Sequence, residues 1–345
     1  MYCNQQPPLL LIPSEERYTW NLYNVLDNQF LDYQVRLPHK RFCGSSEGWL
    51  IAVERDLRVT LINPFRRVKG TDKKNSIIRL PALHVQEEIR ESWVTKRKCN
   101  YYVYKAIMSA DPILNAKDCI VTVIYEDCNQ LAFMRPSKDA TWTYVNPNLS
   151  RIQEILLVDQ NKLYAIHNWD EEDFHKLSTF EISTQSSYTS NPKLVENYIL
   201  SEDDYLWFKT YLLYSIEREL LMISRYRICT GKGGPPDTRK FKIYKLDFDR
   251  WEWIEKETLG DIALFVGDNF PISVLASKFP GCMPNCIYFN HDHDEIGYGT
   301  DPLTDFGVYD VASQVVSQPY NTCAMTLVKM AKKPTIWVVP PFQAK

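Results

Sequence analysis

The 345-residue sequence lacks the features of a membrane or nucleic-acid-binding protein. No apolar run approaches the roughly 18 residues that a transmembrane helix needs. Forty basic and 43 acidic residues give a formal net charge of −3, so there is no excess of positive charge to hold a polyanion. The first 14 residues contain an apolar patch with no basic region before it, which fits neither a signal peptide nor an Arg-rich transit peptide. We expect no membrane and no nucleic acid as a partner.

Glycine is scarce, and the cysteines form no framework. Of the 12 glycines, three lie in residues 231–237 (GKGGPPD), which lack the Gly-Lys-Ser/Thr ending of a phosphate-binding loop and are expected to form a hairpin tip. Nine cysteines is an odd number, and their spacing is irregular. In a chain of this size without a signal peptide, this pattern predicts reduced thiols, no required disulfide and an intracellular location. It favours the cytoplasm or nucleus over an organelle.

Aromatic residues and short apolar runs are abundant instead. The chain has 21 tyrosines and 13% aromatic residues, which fit the half-buried surfaces of β-sheets. Runs of four to nine residues, such as 49–54 (WLIAVE) and 59–65 (VTLINPF), alternate with turn residues along the chain. Closely spaced strands without intervening helices predict an all-β sandwich, barrel or propeller. The one candidate helix, residues 84–98, has few apolar positions, and we interpret it as a solvated connection or a short helix.

The grouping of these runs favours a β-propeller. They form sets of about four, each about 50 residues long, which is the period of propeller blades. Two sets share an apolar strand followed by a polar turn and a Trp-centred strand, at residues 131–142 and 241–253. We therefore predict one β-propeller domain over residues 1–345, with about six blades of mostly four antiparallel strands. Trp20, Trp207 and Trp337 are expected to pack inside blades.

The two ends of the chain are expected to share one blade. Residues 1–16 would form an N-terminal extension and opening strand, and residues 321–345 a closing segment. The strands at 18–23 and 33–38 are too few for a blade, so we expect them to pair with the C-terminal strand at 335–340 (TIWVVP). Such a joint blade closes the ring and removes exposed sheet edges.

One segment has the residue types of a metal site. The group His291-Asp292-His293-Asp294 would place both histidines on one face of an extended strand, and Cys282 precedes it. Because the group follows the end of an apolar strand, we favour a solvated loop over a zinc site. Cys286 opens that strand and is expected to pack as a small apolar residue.

Two other segments resemble sites weakly. Residues 43–49 (CGSSEGW) place two serines between glycines, but the G-x-S-x-G order and a nearby histidine are missing, so we interpret them as a tight turn. The basic runs at Arg66-Arg67 and at 96–98 are expected to be solvated. The sequence therefore predicts no catalytic, cofactor-binding or metal-binding residues, and a protein that is not an enzyme.

Several segments together resemble a known plant family. These segments are residues 7–13 (PPLLLIP), 33–38 (YQVRLP), 43–50 (CGSSEGWL), 61–65 (LINPF), 105–112 (KAIMSADP), 131–136 (LAFMRP), 259–267 (LGDIALFVG), 279–282 (FPGC) and 285–289 (NCIYF). Their combination, from about Pro7 to about Tyr320, resembles the F-box-associated, KIB-type β-propeller family. The resemblance implies a propeller that presents a substrate, while a preceding F-box docks on a Skp-type adaptor of a cullin ubiquitin ligase. It implies no catalytic residues.

The sequence departs from that family at its beginning. Six residues precede Pro7, which is too few for an F-box. Either the chain is a propeller-only relative, or the first exon is missing from its gene model. We therefore expect residues 1–345 to bind an unknown target protein without binding a Skp-type adaptor and, if the chain is not truncated, to compete with relatives that carry an F-box. The alternative is a small-molecule-binding or enzymatic propeller that uses its central channel.

Overall fold

A computed structural model of the chain gives its fold. It describes residues 6–340 apart from 68–75, 86–97, 127–129, 146–150, 160, 169–173, 184–186, 192–195, 199–205, 230–235, 268–269, 293–304, 319 and 332. The described strands form six sheets arranged as the blades of a β-propeller, as predicted.

Four sheets follow the chain in simple order. Blade 1 contains β4 (Gly44–Ser46), β5 (Trp49–Val53), β6 (Arg58–Ile62) and β7 (Ile77–Ala82). Blade 2 contains β8 (Val103–Met108), β9 (Val121–Tyr125), β10 (Gln130–Met134) and β11 (Thr143–Tyr144). Blade 3 contains β12 (Ile152–Val158), β13 (Lys162–Asn168), β14 (Phe174–Ile182), β15 (Tyr188–Asn191) and β16 (Glu196–Tyr198). Blade 4 contains β17 (Leu206–Tyr214), β18 (Leu220–Cys229), β19 (Pro236–Asp247) and β20 (Glu252–Glu255).

The other two sheets have more complex order. Blade 5 contains β21 (Ile262–Val266), β22 (Ile272–Leu275), β23 (Cys286–Phe289), β24 (Gly307–Asp310) and β25 (Val315–Ser317). Here β22 is innermost, and β21 pairs with β23 in parallel. The closing blade combines β1 (Leu9–Pro13), β2 (Thr19–Asn24) and β3 (Gln29–Arg36) with β26 (Ile336–Val338).

The joint blade predicted from the two chain ends is confirmed, with a different direct partner. Strand β26 pairs antiparallel with β1, with Leu10 opposite Trp337, and β2 and β3 follow outward. The strands at 18–23 and 33–38 therefore share a sheet with the C-terminal strand but do not contact it as neighbours. Trp337 is fully buried, and its indole Nε1 donates to the Val266 carbonyl of blade 5 at 3.2 Å. The C-terminal strand thus fastens the closing blade to blade 5.

Alternating side chains build the core between blades. Along β5, Trp49, Ile51 and Val53 pack in the cluster shared with blade 2, whereas Leu50 and Ala52 pack in the cluster shared with the closing blade. Successive side chains of a strand point to opposite faces, and here both faces are covered. This explains why the strand reads as a continuous apolar run. Each neighbouring pair of blades shares such a cluster.

Residues 43–49 differ from the predicted tight turn. Gly44–Ser46 is itself the innermost strand of blade 1, and the turn consists of Glu47 and Gly48, which both have positive φ. This backbone shape matches a two-residue hairpin. Strand β4 lies so close to β8 that a Cβ on Gly44 would be 1.9 Å from the Ala106 carbonyl oxygen. Only glycine fits there.

Helix α1 (Thr322–Met330) was not predicted. Asn321 caps it by accepting a hydrogen bond from the Ala324 N–H, and Ala324 and Val328 pack into the core between blade 5 and the closing blade. Short 3₁₀ helices of three or four residues occur at Pro64–Arg67, Lys98–Tyr101 and Ala276–Lys278. No helix in the described part of the chain is long and apolar enough to cross a membrane. Most of the candidate helix at 84–98 lies outside the described residues.

Candidate functional site

The inner strands surround a central channel. Strands β26, β4, β8, β12, β17 and β22 are innermost in their sheets, and successive members from β26 to β22 contact one another. Strands β4, β8, β12 and β17 all begin on the same side of the propeller, which we call the upper face. Phe270, just before β22, donates its backbone N–H to the Ser45 carbonyl of blade 1 at 3.1 Å. Its ring packs on the clusters shared by blades 2, 3 and 4, so it crosses the channel.

A buried charged group joins three inner strands near the upper face. Lys105 of β8 donates to the Glu154 carboxylate of β12 at 2.7 Å, and both side chains are buried. Lys209 of β17 donates to the Tyr104 hydroxyl and lies 4.2 Å from the centre of that ring. Burial raises the pKa of the Glu154 carboxyl, although Lys105 and Lys209 oppose this effect. Lys105 pairs with Glu154, and Lys209 contacts Tyr104, so this group links the inner strands of blades 2, 3 and 4.

A second buried group lies between blades 4 and 5. Arg225 of β18 donates to the carboxylates of Asp292 and Asp305, at 2.8 Å each, and to the Thr238 hydroxyl at 2.7 Å. The Tyr211 hydroxyl also donates to Asp292. Burial alone lowers the pKa of Arg225, but the carboxylates outweigh it and raise the pKa above its usual value. This group fixes Asp292 and Asp305 to blade 4.

The predicted solvated loop at 291–294 is therefore wrong for Asp292. Its side chain is 2% exposed because it pairs with Arg225. Cys286 is buried in its apolar strand, as predicted. His293 and Asp294 lie outside the described residues. Among the described residues, no group of three or more His, Cys, Asp and Glu side chains is placed to hold a metal ion.

An open cleft with a volume of about 660 Å³ lies between blades 1 and 2 on the upper face. We call it the basic cleft, and it is lined by His39, Lys40, Val53, Glu54, Arg55, Asp56, Arg58, Arg79, Cys99 and Asn100. Lys40 pairs with Glu54 at 2.8 Å and bonds to the Val53 carbonyl at 2.9 Å. Beneath it, buried Arg41 donates to the carbonyls of Val103 and Tyr104 at 2.9 and 2.8 Å. Hydrogen bonds of Arg41 therefore stabilise the base of the cleft, and charged side chains line its rim.

A second cleft of about 490 Å³ lies beside β7 and β11, at the outer side of the same blade boundary. We call it the aromatic cleft, and it is lined by Pro81, Ala82, Leu83, His84, Val85, Thr141, Trp142 and Tyr144. The Trp142 indole donates to the Pro81 carbonyl at 2.9 Å, and the His84 N–H donates to the Tyr144 hydroxyl at 2.7 Å. Burial raises the pKa of Tyr144, so its hydroxyl stays neutral. Tyr144 is 38% exposed, so part of its ring is accessible at the surface.

One contact has the residue types of a nucleophile and base. His167 Nε2 lies 2.8 Å from the Ser178 hydroxyl, but both residues are 3% exposed. Among the described residues, His167 Nδ1 has no hydrogen-bond partner, and so no acid there orients the imidazole. Burial lowers the pKa of His167 to about 4. The pair is therefore a core contact between β13 and β14 rather than an activated nucleophile.

Three of the described cysteines are also poor nucleophiles. Burial raises the pKa of Cys282 and of Cys286 to about 11 and that of Cys99 above its usual value. A thiol reacts and binds metal as the thiolate, which these three residues do not form near neutral pH. Among the described residues, Cys43, Cys99, Cys119, Cys282, Cys286 and Cys323 are in no disulfide bond.

Comparison with protein families decides the relationship of the chain. The KIB1-4 β-propeller family model matches residues 22–310. The chain belongs to the KIB1-4 β-propeller family. The resemblance read from the sequence motifs is therefore confirmed.

Relatives of this KIB1-4 β-propeller are F-box proteins of Arabidopsis thaliana. F-box protein At2g26160 is 45% identical over 263 residues, covering 71% of this chain and 73% of the relative. F-box protein SKIP23 is 25% identical over 313 residues, covering 80% and 71%, and F-box protein KIB4 is 23% identical over 319 residues, covering 85% and 72%. Two other F-box proteins match over 14% and 15% of their own lengths. Among solved structures, Kuenenia stuttgartiensis hydrazine synthase has a TM-score of 0.39 and 9% identity, covering 96% of this chain and 83% of that chain.

The remaining sequence-based predictions have mixed outcomes in this KIB1-4 propeller. Trp20 and Trp337 are fully buried, as predicted, whereas the side chain of Trp207 lies outside the described residues, as does most of 231–237. Arg67 is not simply solvated, because its Nε donates to the Arg36 carbonyl at 2.6 Å. Lys96 and Arg97 also lie outside the described residues.

Sequence reasoning missed the basic cleft and both buried charged groups. Their members are scattered along the chain: Arg225 meets partners 67 and 80 positions away, and Lys105 meets Glu154 across 49 positions. No local motif joins them. The one available signal was Lys or Arg inside otherwise apolar strands, as in β8 and β18.

Proposed function

We propose that this chain is a non-enzymatic protein-binding propeller, which selects a partner protein through its upper face at the boundary of blades 1 and 2. The proposal follows the role implied for KIB-type propellers, the recognition of a substrate for a cullin ubiquitin ligase. It assigns target binding, and not adaptor binding, to residues 1–345. In the described part of the chain the single α-helix, α1, has nine residues and buries Ala324 and Val328 against the propeller.

The proposal rests on where the solvent-accessible charged and aromatic side chains lie in the propeller. The channel is crossed by Phe270, and its upper part holds Lys105 and Glu154 in a buried pair. The exposed ring of Tyr144 and several charged side chains lie together at one blade boundary instead, around the aromatic and basic clefts. Aromatic residues and arginine are enriched in protein interfaces, and function in such folds resides on the loops.

Site-specific photo-crosslinking tests this proposal. The photoreactive residue p-benzoyl-phenylalanine is placed at Ala82, an exposed residue that lines the aromatic cleft and lies opposite Arg58 at the upper end of β7. The matched control carries it at Leu114, which is 74% exposed in the connection between β8 and β9 on the opposite face. We expect the variant at Ala82 to form a discrete protein adduct in cell extract, and the variant at Leu114 to form none.

The adduct must then be reproduced with purified proteins. We expect the identified partner to form a 1:1 complex with the unmodified chain, measured by analytical ultracentrifugation. Equal labelling at both positions, labelling at Leu114 alone, or failure of the purified partner to bind would contradict the proposal.

A further inference from the structure

The basic cleft departs in charge from the molecule as a whole. Its lining contains four basic side chains, Lys40, Arg55, Arg58 and Arg79, and two carboxylates, Glu54 and Asp56. The cleft therefore has an excess of two positive charges in a chain whose formal net charge is −3. A local potential opposite to that of the whole surface orients an incoming charged partner.

Not all of these basic groups are used within the fold. Lys40 pairs with Glu54 at 2.8 Å, and Arg58 pairs with Asp56 at 3.3 Å. Arg55 and Arg79 are exposed, and among the described residues no carboxylate lies within ion-pair distance of either. Arginines elsewhere serve the fold, as Arg41 does through two carbonyls. The two guanidinium groups thus remain available to a ligand.

The position of these arginines suits an extended ligand. Arg55 lies in the turn between β5 and β6, whereas Arg79 lies on β7 at the outer edge of blade 1. Guanidinium groups bind planar carboxylates through two parallel hydrogen bonds. The positive charges alternate with Glu54 and Asp56, which suits single negative charges spread along a chain better than the concentrated charge of a phosphate.

We infer that the basic cleft binds a carboxylate-rich segment of the partner protein, an inference that rests on the proposed function. The aromatic cleft on the same blade boundary would hold neighbouring apolar residues of that partner. Such a charged rim contributes mainly to association rate and selectivity.

A labelled peptide tests the inference on the full chain. The probe is a fluorescein-labelled peptide of alternating glycine and paired glutamate, and its matched controls replace every glutamate with glutamine or with phosphoserine. Binding is followed by fluorescence anisotropy at about 50 mM and about 300 mM NaCl, because screening at the higher salt weakens exposed charge pairs. We expect saturable binding of the glutamate peptide at low salt, weaker binding at high salt, and no binding of the glutamine peptide.

Variants locate the site. Each exposed charge pair is worth up to a few-fold in affinity, so R55Q/R79Q is expected to weaken binding of the glutamate peptide by about ten-fold. R55K/R79K keeps the charges and should bind within about three-fold of the wild type. R250Q removes an exposed arginine next to the blade 4 hairpin turn and should bind as the wild type does. All three variants should keep the wild-type melting temperature, since these side chains are exposed.

Unchanged binding in R55Q/R79Q, equal binding of the glutamine peptide, or binding of the phosphoserine peptide alone would overturn the inference. The crosslink at Ala82 separates this failure from failure of the proposed function. If the peptide does not bind but the Ala82 adduct forms and is reproduced, the inference is wrong and protein binding at the upper face stands. If neither occurs, both are wrong.

Discussion

Replacing Arg225 with methionine tests the buried charged group between blades 4 and 5. The change keeps most of the apolar stem but leaves the carboxylates of Asp292 and Asp305, both buried, without their cation. It also removes hydrogen bonds to the Thr238 hydroxyl and to the Asn290 carbonyl. Stranding a buried ion-pair partner typically costs about 3–5 kcal/mol.

The expected effect on melting follows from chain length. Unfolding entropy of about 2 cal/mol/K per residue gives about 0.7 kcal/mol/K for the whole chain, so a loss of about 4 kcal/mol lowers Tm by about 5–6 °C. Circular dichroism melts and urea titrations measure this loss. The control is R58M, which removes an exposed ion pair with Asp56 and should cost less than about 1 kcal/mol.

A triple variant distinguishes charge from packing. R225M/D292N/D305N leaves no uncompensated charge, so it should recover most of the stability lost in R225M. A loss below about 1 kcal/mol in R225M would refute the argument from buried charge. A triple variant no more stable than R225M would show that packing and hydrogen bonding, and not stranded carboxylates, dominate.

His167 is kept neutral in the folded state because burial lowers its pKa to about 4, while the unfolded value is about 6.5. The neutral His167 therefore contributes fully to the free energy of unfolding above about pH 6.5, and about 2–3 kcal/mol of this contribution is lost as the pH falls towards 4. In urea titrations, H167Q should lose less stability than the wild type between about pH 7 and about pH 4.5. Equal losses in the two proteins would contradict the lowered pKa of His167. G44A should abolish soluble folding or cost more than about 3 kcal/mol, because its Cβ would be 1.9 Å from the Ala106 carbonyl oxygen. The control is G260A, where an added Cβ would have no atom within 4 Å apart from its chain neighbours, and only the φ of +61° is unfavourable. G260A should cost about 1 kcal/mol in thermal melts. Equal losses in G44A and G260A would exclude steric contact between β4 and β8 as the cause.

The strands were predictable because their signals are local. Both faces of a blade are covered by neighbouring blades, so strands such as β5 and β21 read as continuous apolar runs. Turn residues separate them at blade-length spacing, and the motif residues resemble one family in combination. Helix α1 was missed because it is short and buries only Ala324 and Val328 fully, with Met325 and Leu327 partly buried beside them. Its local signal was Asn321 as the N-cap.

The channel, the buried charges and the clefts were decided by tertiary structure. Ser45 meets Phe270, and Lys105 meets Glu154, only after the ring has closed and brought strands of different blades together. These partners are separated by 49 to more than 200 positions, and no periodicity in sequence links them. A strand's own side-chain alternation fixes which residues are buried, whereas the choice of cross-blade partner depends on how sheets pack around the axis. The sequence alone therefore determined the blades and the family, and packing determined which charges are paired within the fold and which remain free at its surface.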